Sequence, residues 1–86
     1  MLERTESPQR PEIAVRCGGS TYLGALVSTR AEWSTDQGVL VSIVALCADE
    51  VRRRFYFRVT DGEAWRHLEA NPPRVIEAEA MKEERA

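Results

Sequence analysis

Residues 39–48 read VLVSIVALCA, the most hydrophobic run in the chain, and the run is apolar at both phases of a strand's two-residue period. Val39, Val41, Ile43, Ala45 and Cys47 share one side, while Leu40, Val44 and Leu46 share the other. A strand apolar on both faces marks the middle of a sheet, where side chains are covered above and below. The segment that follows, VRRRFYFRVT at 51–60, divides differently. Val51, Phe55, Phe57 and Val59 form an apolar row broken by Arg53, and Arg52, Arg54, Tyr56 and Arg58 form a cationic-aromatic row.

Two further strands are predicted upstream. Ile13, Val15 and Cys17 alternate with Ala14 and Arg16, and Gly18-Gly19 then supplies two residues that tolerate positive φ, as a tight hairpin turn requires. The return strand runs from Ser20 to about Thr29. A helix competes there, because Tyr22, Leu23, Leu26, Val27 and Trp33 also fit a 3.6-residue stripe, but Gly24 and the β-branched residues favour the strand. Asp36-Gln37-Gly38 reads as the connection to the central run.

Downstream, Thr60-Asp61-Gly62-Glu63 has capping-box spacing, which predicts a helix over about Asp61–Ala70 with Ala64, Trp65 and Leu68 toward the sheet. Pro72 disfavours helical geometry at Asn71 and ends it. A second helix is expected over about Arg74–Glu84 on the thin stripe Val75, Ala78 and Met81, with Lys82–Ala86 fraying. The expected fold is therefore α+β: a four-stranded antiparallel β-meander followed by one or two short C-terminal helices packed on one face. The alternative is a small curled β-barrel with a terminal helix. Residues 1–11, polar and rich in proline and charge, are expected to form a flexible N-terminal arm, and residues 12–86 a single domain with a fraying acidic tail.

The Arg-rich strand faces two registers, because the turn at Asp49-Glu50 lacks glycine and one residue of loop length exchanges faces. With a three-residue loop Ala48 opposes Arg52, and Val41, Ile43 and Ala45 join Phe55, Phe57 and Val59 in the core. With a two- or four-residue loop Ala48 opposes Val51, and Leu40, Val44 and Leu46 take that place. In both, an aliphatic row lies beside Arg52, Arg54, Tyr56 and Arg58 on the opposite face. Arg stems over the aliphatic row, a curled sheet, or a partner surface would each account for such a face.

With 86 residues there is room for one small core, and the net charge of −2 is not that of a polyanion-binding domain. Cys17 and Cys47 lie within apolar strand patterns and are expected as buried free thiols. With the sole histidine, His67, they give no paired zinc-ligand spacing, and Gly18-Gly19 belongs to neither a P-loop nor a dinucleotide fingerprint. The run RRRFYFRV is similar to the RNP1 strand of RNA-recognition motifs over eight residues, but Arg54 and Tyr56 stand where that pattern has small residues.

No cofactor or metal is expected, and the absence of a long apolar run or signal-type N-terminus predicts a soluble cytoplasmic chain. A mixed aliphatic, arginine and tyrosine face suits a protein interface. The expectation is a small non-enzymatic module, an inhibitor or adaptor, that binds a protein partner or a second copy of itself. Arg52, Arg54, Tyr56, Arg58 and Trp33 are its candidate contacts. The alternative is a nucleic-acid-binding module using the same row. In gross layout, a small sheet followed by short helices in a compact acidic chain looks like some phage-encoded inhibitors, anti-CRISPR proteins among them, an analogy of layout without a motif.

Overall fold

The structure, a computed structural model, describes residues 10–84. Strands β1 (Glu12–Cys17), β2 (Ser20–Thr35), β3 (Gly38–Cys47) and β4 (Arg52–Val59) form the expected antiparallel meander, with the doubly apolar β3 between β2 and β4. Helix α1 (Gly62–Ala70) follows, and then β5 (Val75–Glu77) and β6 (Ala80–Glu84). The result is a mixed sheet in the order β5-β1-β2-β3-β4-β6, with β5 parallel to β1 and the other pairs antiparallel.

Turn chemistry sets the registers. Gly18 (φ 61°) and Gly19 (φ 82°) both occupy the left-handed region, as a two-residue hairpin that follows the sheet's twist demands. The β3–β4 loop is Ala48-Asp49-Glu50, closed by the Glu50 amide donating to the Cys47 carbonyl at 2.8 Å. Glu50 takes the left-handed conformation (φ 70°) that such three-residue loops require. Leu46 thus opposes Arg52, and Val41 and Ile43 oppose Phe57 and Phe55. The loop starts one residue earlier than the three-residue alternative assumed, yet the faces are those of that alternative.

The C-terminal segment departs from expectation. Residues 75–84 form β5 and β6 rather than a second helix, and Lys82–Glu84 are hydrogen-bonded strand rather than frayed tail. Their apolar stripe was too thin to anchor a helix, whereas the free edges of β1 and β4 offered a full set of backbone partners. Only Ala78 and Glu79 separate β5 from β6, although the two lie at opposite ends of the strand order. In a flat sheet those ends would be about 24 Å apart at five interstrand spacings. Three Cα steps reach about 11 Å. The sheet must therefore curl, and the Ala78 amide donates to the Arg16 carbonyl while the Glu79 amide donates to the Tyr56 carbonyl, both at 2.8 Å. It does not close into the alternative barrel, because β5 and β6 do not pair with each other.

Inside the curl lie Ile13, Val15, Leu26, Val41, Ile43, Phe55, Phe57 and Ile76, with Trp65 and Leu68 of α1 packed against them. The helix is capped by Asp61, whose carboxylate accepts from the Ala64 amide at 2.8 Å, so the predicted Thr60–Glu63 box is not the capping device. Cys47 is buried, Cys17 is half-buried, and both are free thiols. Among the described residues no helix is long and apolar enough to cross a membrane. Of the expected N-terminal arm, residues 1–9 lie outside the described residues; the Pro11 carbonyl accepts from the Leu26 amide at 2.8 Å.

Candidate interaction face

The outer surface of the sheet carries the cationic-aromatic row, and its middle is a polar network running across four strands. Register places Arg30, Ser42, Tyr56 and Ala80 side by side, with Ser28, Val44, Arg54 and Lys82 in the next rank. A β-bulge at Glu32 lets its carboxylate reach this surface alongside Arg30. Glu32 accepts from Arg30 at 3.0 and 3.1 Å and from the Ser42 hydroxyl at 2.5 Å. The Ser42 oxygen in turn accepts from Arg54 Nη1 at 2.9 Å, and Arg54 Nε donates to Glu84 at 2.9 Å.

These contacts perturb the charged groups in a consistent direction. The Ser42 hydroxyl, and then Arg30, hold the Glu32 carboxyl below the ordinary carboxylate range. Arg54 does the same to Glu84, and Glu84 raises the Arg54 pKa. Ser42 is fully buried. It is the only polar residue inside the run 38–47, so an isolated serine on a central strand was the signal that could have revealed this network.

The predicted contact residues separate into distinct environments. Arg54 belongs to the network, and Arg58 pairs with Glu79 at 3.1 Å. Tyr56 is half-buried between them. Arg52 is exposed and, among the described residues, makes no ion pair, because Glu84 opposite it on β6 is bonded to Arg54. Trp33 is 57% exposed at the far end of the same surface, opposite Leu40. The fold thus places all five on one face but ties up two of the three arginines.

Arg53, which interrupted the apolar row, points to the core side at the hairpin end. Its guanidinium makes a two-pronged contact with Asp49 at 3.0 and 2.8 Å and lies 4.9 Å from the centroid of the Tyr22 ring. Asp49 raises the Arg53 pKa, and Arg53 lowers that of Asp49. Among the described residues the buried Arg53 Nε has no hydrogen-bond partner.

Beside Arg52 the outer surface becomes apolar. Val75, Ala14 and Leu23 align across β5, β1 and β2, and Ala25 lies opposite Leu46 on β3. Leu23 is 60% exposed, Val75 54% and Leu46 40%. Leu23, Leu46 and Val75 are not among the predicted contacts. Alternation puts Leu23 on a strand without disclosing what faces it, and the stripe through Val75 predicts a helix there.

Comparison of the chain with protein-family models, with curated proteins and with solved structures finds no match. Its function has to be argued from this geometry.

Proposed function

We propose that this chain is a non-enzymatic protein-binding module that acts by occluding or joining a partner through the outer face of its sheet. The observation that carries this reading is the exposed Leu23, Leu46 and Val75 in two adjacent ranks of one face, beside Arg52, which makes no ion pair among the described residues. Large aliphatic side chains clustered on one face cost free energy in water, and a partner surface removes that cost. An arginine at the margin adds directional hydrogen bonds. The nucleic-acid alternative is weaker, since Arg54 and Arg58 are already held by carboxylates and would have to exchange them for phosphates.

The test is affinity capture from native lysate by the intact chain and by Leu46→Arg, with unchanged melting curves establishing that both are folded. At least one protein retained by the wild type should be lost from the variant. Identical captures would refute the proposal.

A further inference from the structure

Leu23 and Leu46 of this apolar patch line an open groove of about 910 Å³. Ala14, Leu23, Ala25 and Leu46 line it, and Pro11 and Pro72 flank it where β1 begins and where α1 gives way to β5. Its charged lining leans basic. Arg10 and Arg74 line the groove and Glu12 is the single acid among its described lining residues, while just outside it Arg52 stands beside Leu46 and Asp49-Glu50 follow Ala48, with Asp49 already bonded to Arg53. Arg10, Arg52 and Arg74 make no ion pair among the described residues, and Arg10 donates to the Val27 carbonyl. This basic frame sits on a chain whose net charge is −2.

We propose that the groove docks an acidic peptide segment of a protein partner, with aliphatic or aromatic side chains seated on Leu23 and Leu46 and carboxylates meeting Arg10, Arg52 and Arg74. The inference rests on the protein-binding reading above and adds the chemistry of the partner. Burial of the anchors supplies affinity, and the arginine frame supplies selection by charge. A second copy bound through the same patch would present a surface with the same excess of arginine rather than a complementary acidic one. Single-stranded nucleic acid would meet the charges but find no aromatic platform, since no aromatic residue lines the groove.

The test is selection of a displayed random-peptide library on the intact chain, with counter-selection on Leu23→Glu, followed by fluorescence anisotropy of a synthesised survivor. Survivors rich in Asp or Glu beside Leu, Ile, Val or Phe are expected. Their affinity should fall about tenfold or more with Leu23→Glu, weaken with added salt, and fall again with Arg52→Glu/Arg74→Glu. Melting curves of the variants confirm that these surface changes leave the fold intact. Survivors that depend on Leu23 but are basic or uncharged would overturn the acidic assignment while leaving the protein-binding reading standing. An absence of Leu23-dependent survivors would overturn the peptide-docking proposal, while the lysate capture with Leu46→Arg decides the protein-binding reading separately. A dimer abolished by Leu23→Glu, or an oligothymidylate that outcompetes the survivor, would likewise overturn the proposed occupant.

Discussion

Replacing Ser42 by alanine removes one oxygen that serves two charged partners. Its hydroxyl donates to Glu32 at 2.5 Å and accepts from Arg54 at 2.9 Å, and the side chain is fully buried. Hydrogen bonds to charged groups are each worth about 1.5–3 kcal/mol. Both charged groups keep other partners, Arg30 for Glu32 and Glu84 for Arg54, and they already stand 3.8 Å from each other. Partial recovery through those contacts leaves an expected loss of about 2 kcal/mol. For a domain of this size that corresponds to a fall of about 8–16 °C in Tm. Urea denaturation of wild type, Ser42→Ala, Glu32→Gln and the double variant measures the coupling directly. The serine substitution should cost less once Glu32 is neutral. A loss below about 0.5 kcal/mol, or strictly additive single effects, would refute the shared-oxygen network.

Glu50→Gly should stabilise the fold by about 0.5 kcal/mol, because the left-handed conformation costs a side chain more than glycine's extra unfolded-state freedom takes back; a lower urea midpoint would contradict this. Arg53→Met should be tolerated better than Asp49→Ala, since methionine deletes the orphaned Nε while the alanine removes both close hydrogen bonds to a buried guanidinium and leaves it the longer 3.9 Å contact with Glu83; the reverse order of melting temperatures would sink the account. Lowered folded-state pKa values at Glu32, Asp49 and Glu84 mean that the native state prefers their anions. Their stabilising contribution is complete above the unfolded carboxylate pKa of about 4 and lost as pH falls through the lower folded values. Tm should therefore decline on acidification below that range, and a flat profile would contradict it.

Much of the meander was legible because its signals are local. Gly18-Gly19 provides the backbone freedom of the first turn, and the two-sided apolarity of residues 39–48 puts β3 inside the sheet whatever surrounds it. Even the row of Arg52, Arg54, Tyr56 and Arg58 follows from alternation alone. Its chemistry does not. Arg54 and Arg58 were read as available, yet Glu84 and Glu79, thirty and twenty-one residues along the chain, neutralise them. That pairing depends on residues 75–84 being strand, which their helix-like stripe did not disclose.

Sequence by itself favoured the strand meander over a competing helix after Gly19, and determined which residues of β4 share a face and the placement of Trp65 and Leu68 toward the core. Period and turn stereochemistry are properties of a few adjacent residues and need no knowledge of the rest. Tertiary structure decided which charges stay free and which aliphatic side chains stay exposed. A carboxylate's choice of arginine, like the cover over Leu23, is fixed by which distant strand arrives alongside, and here that was settled by β5 and β6 taking the open edges of β1 and β4.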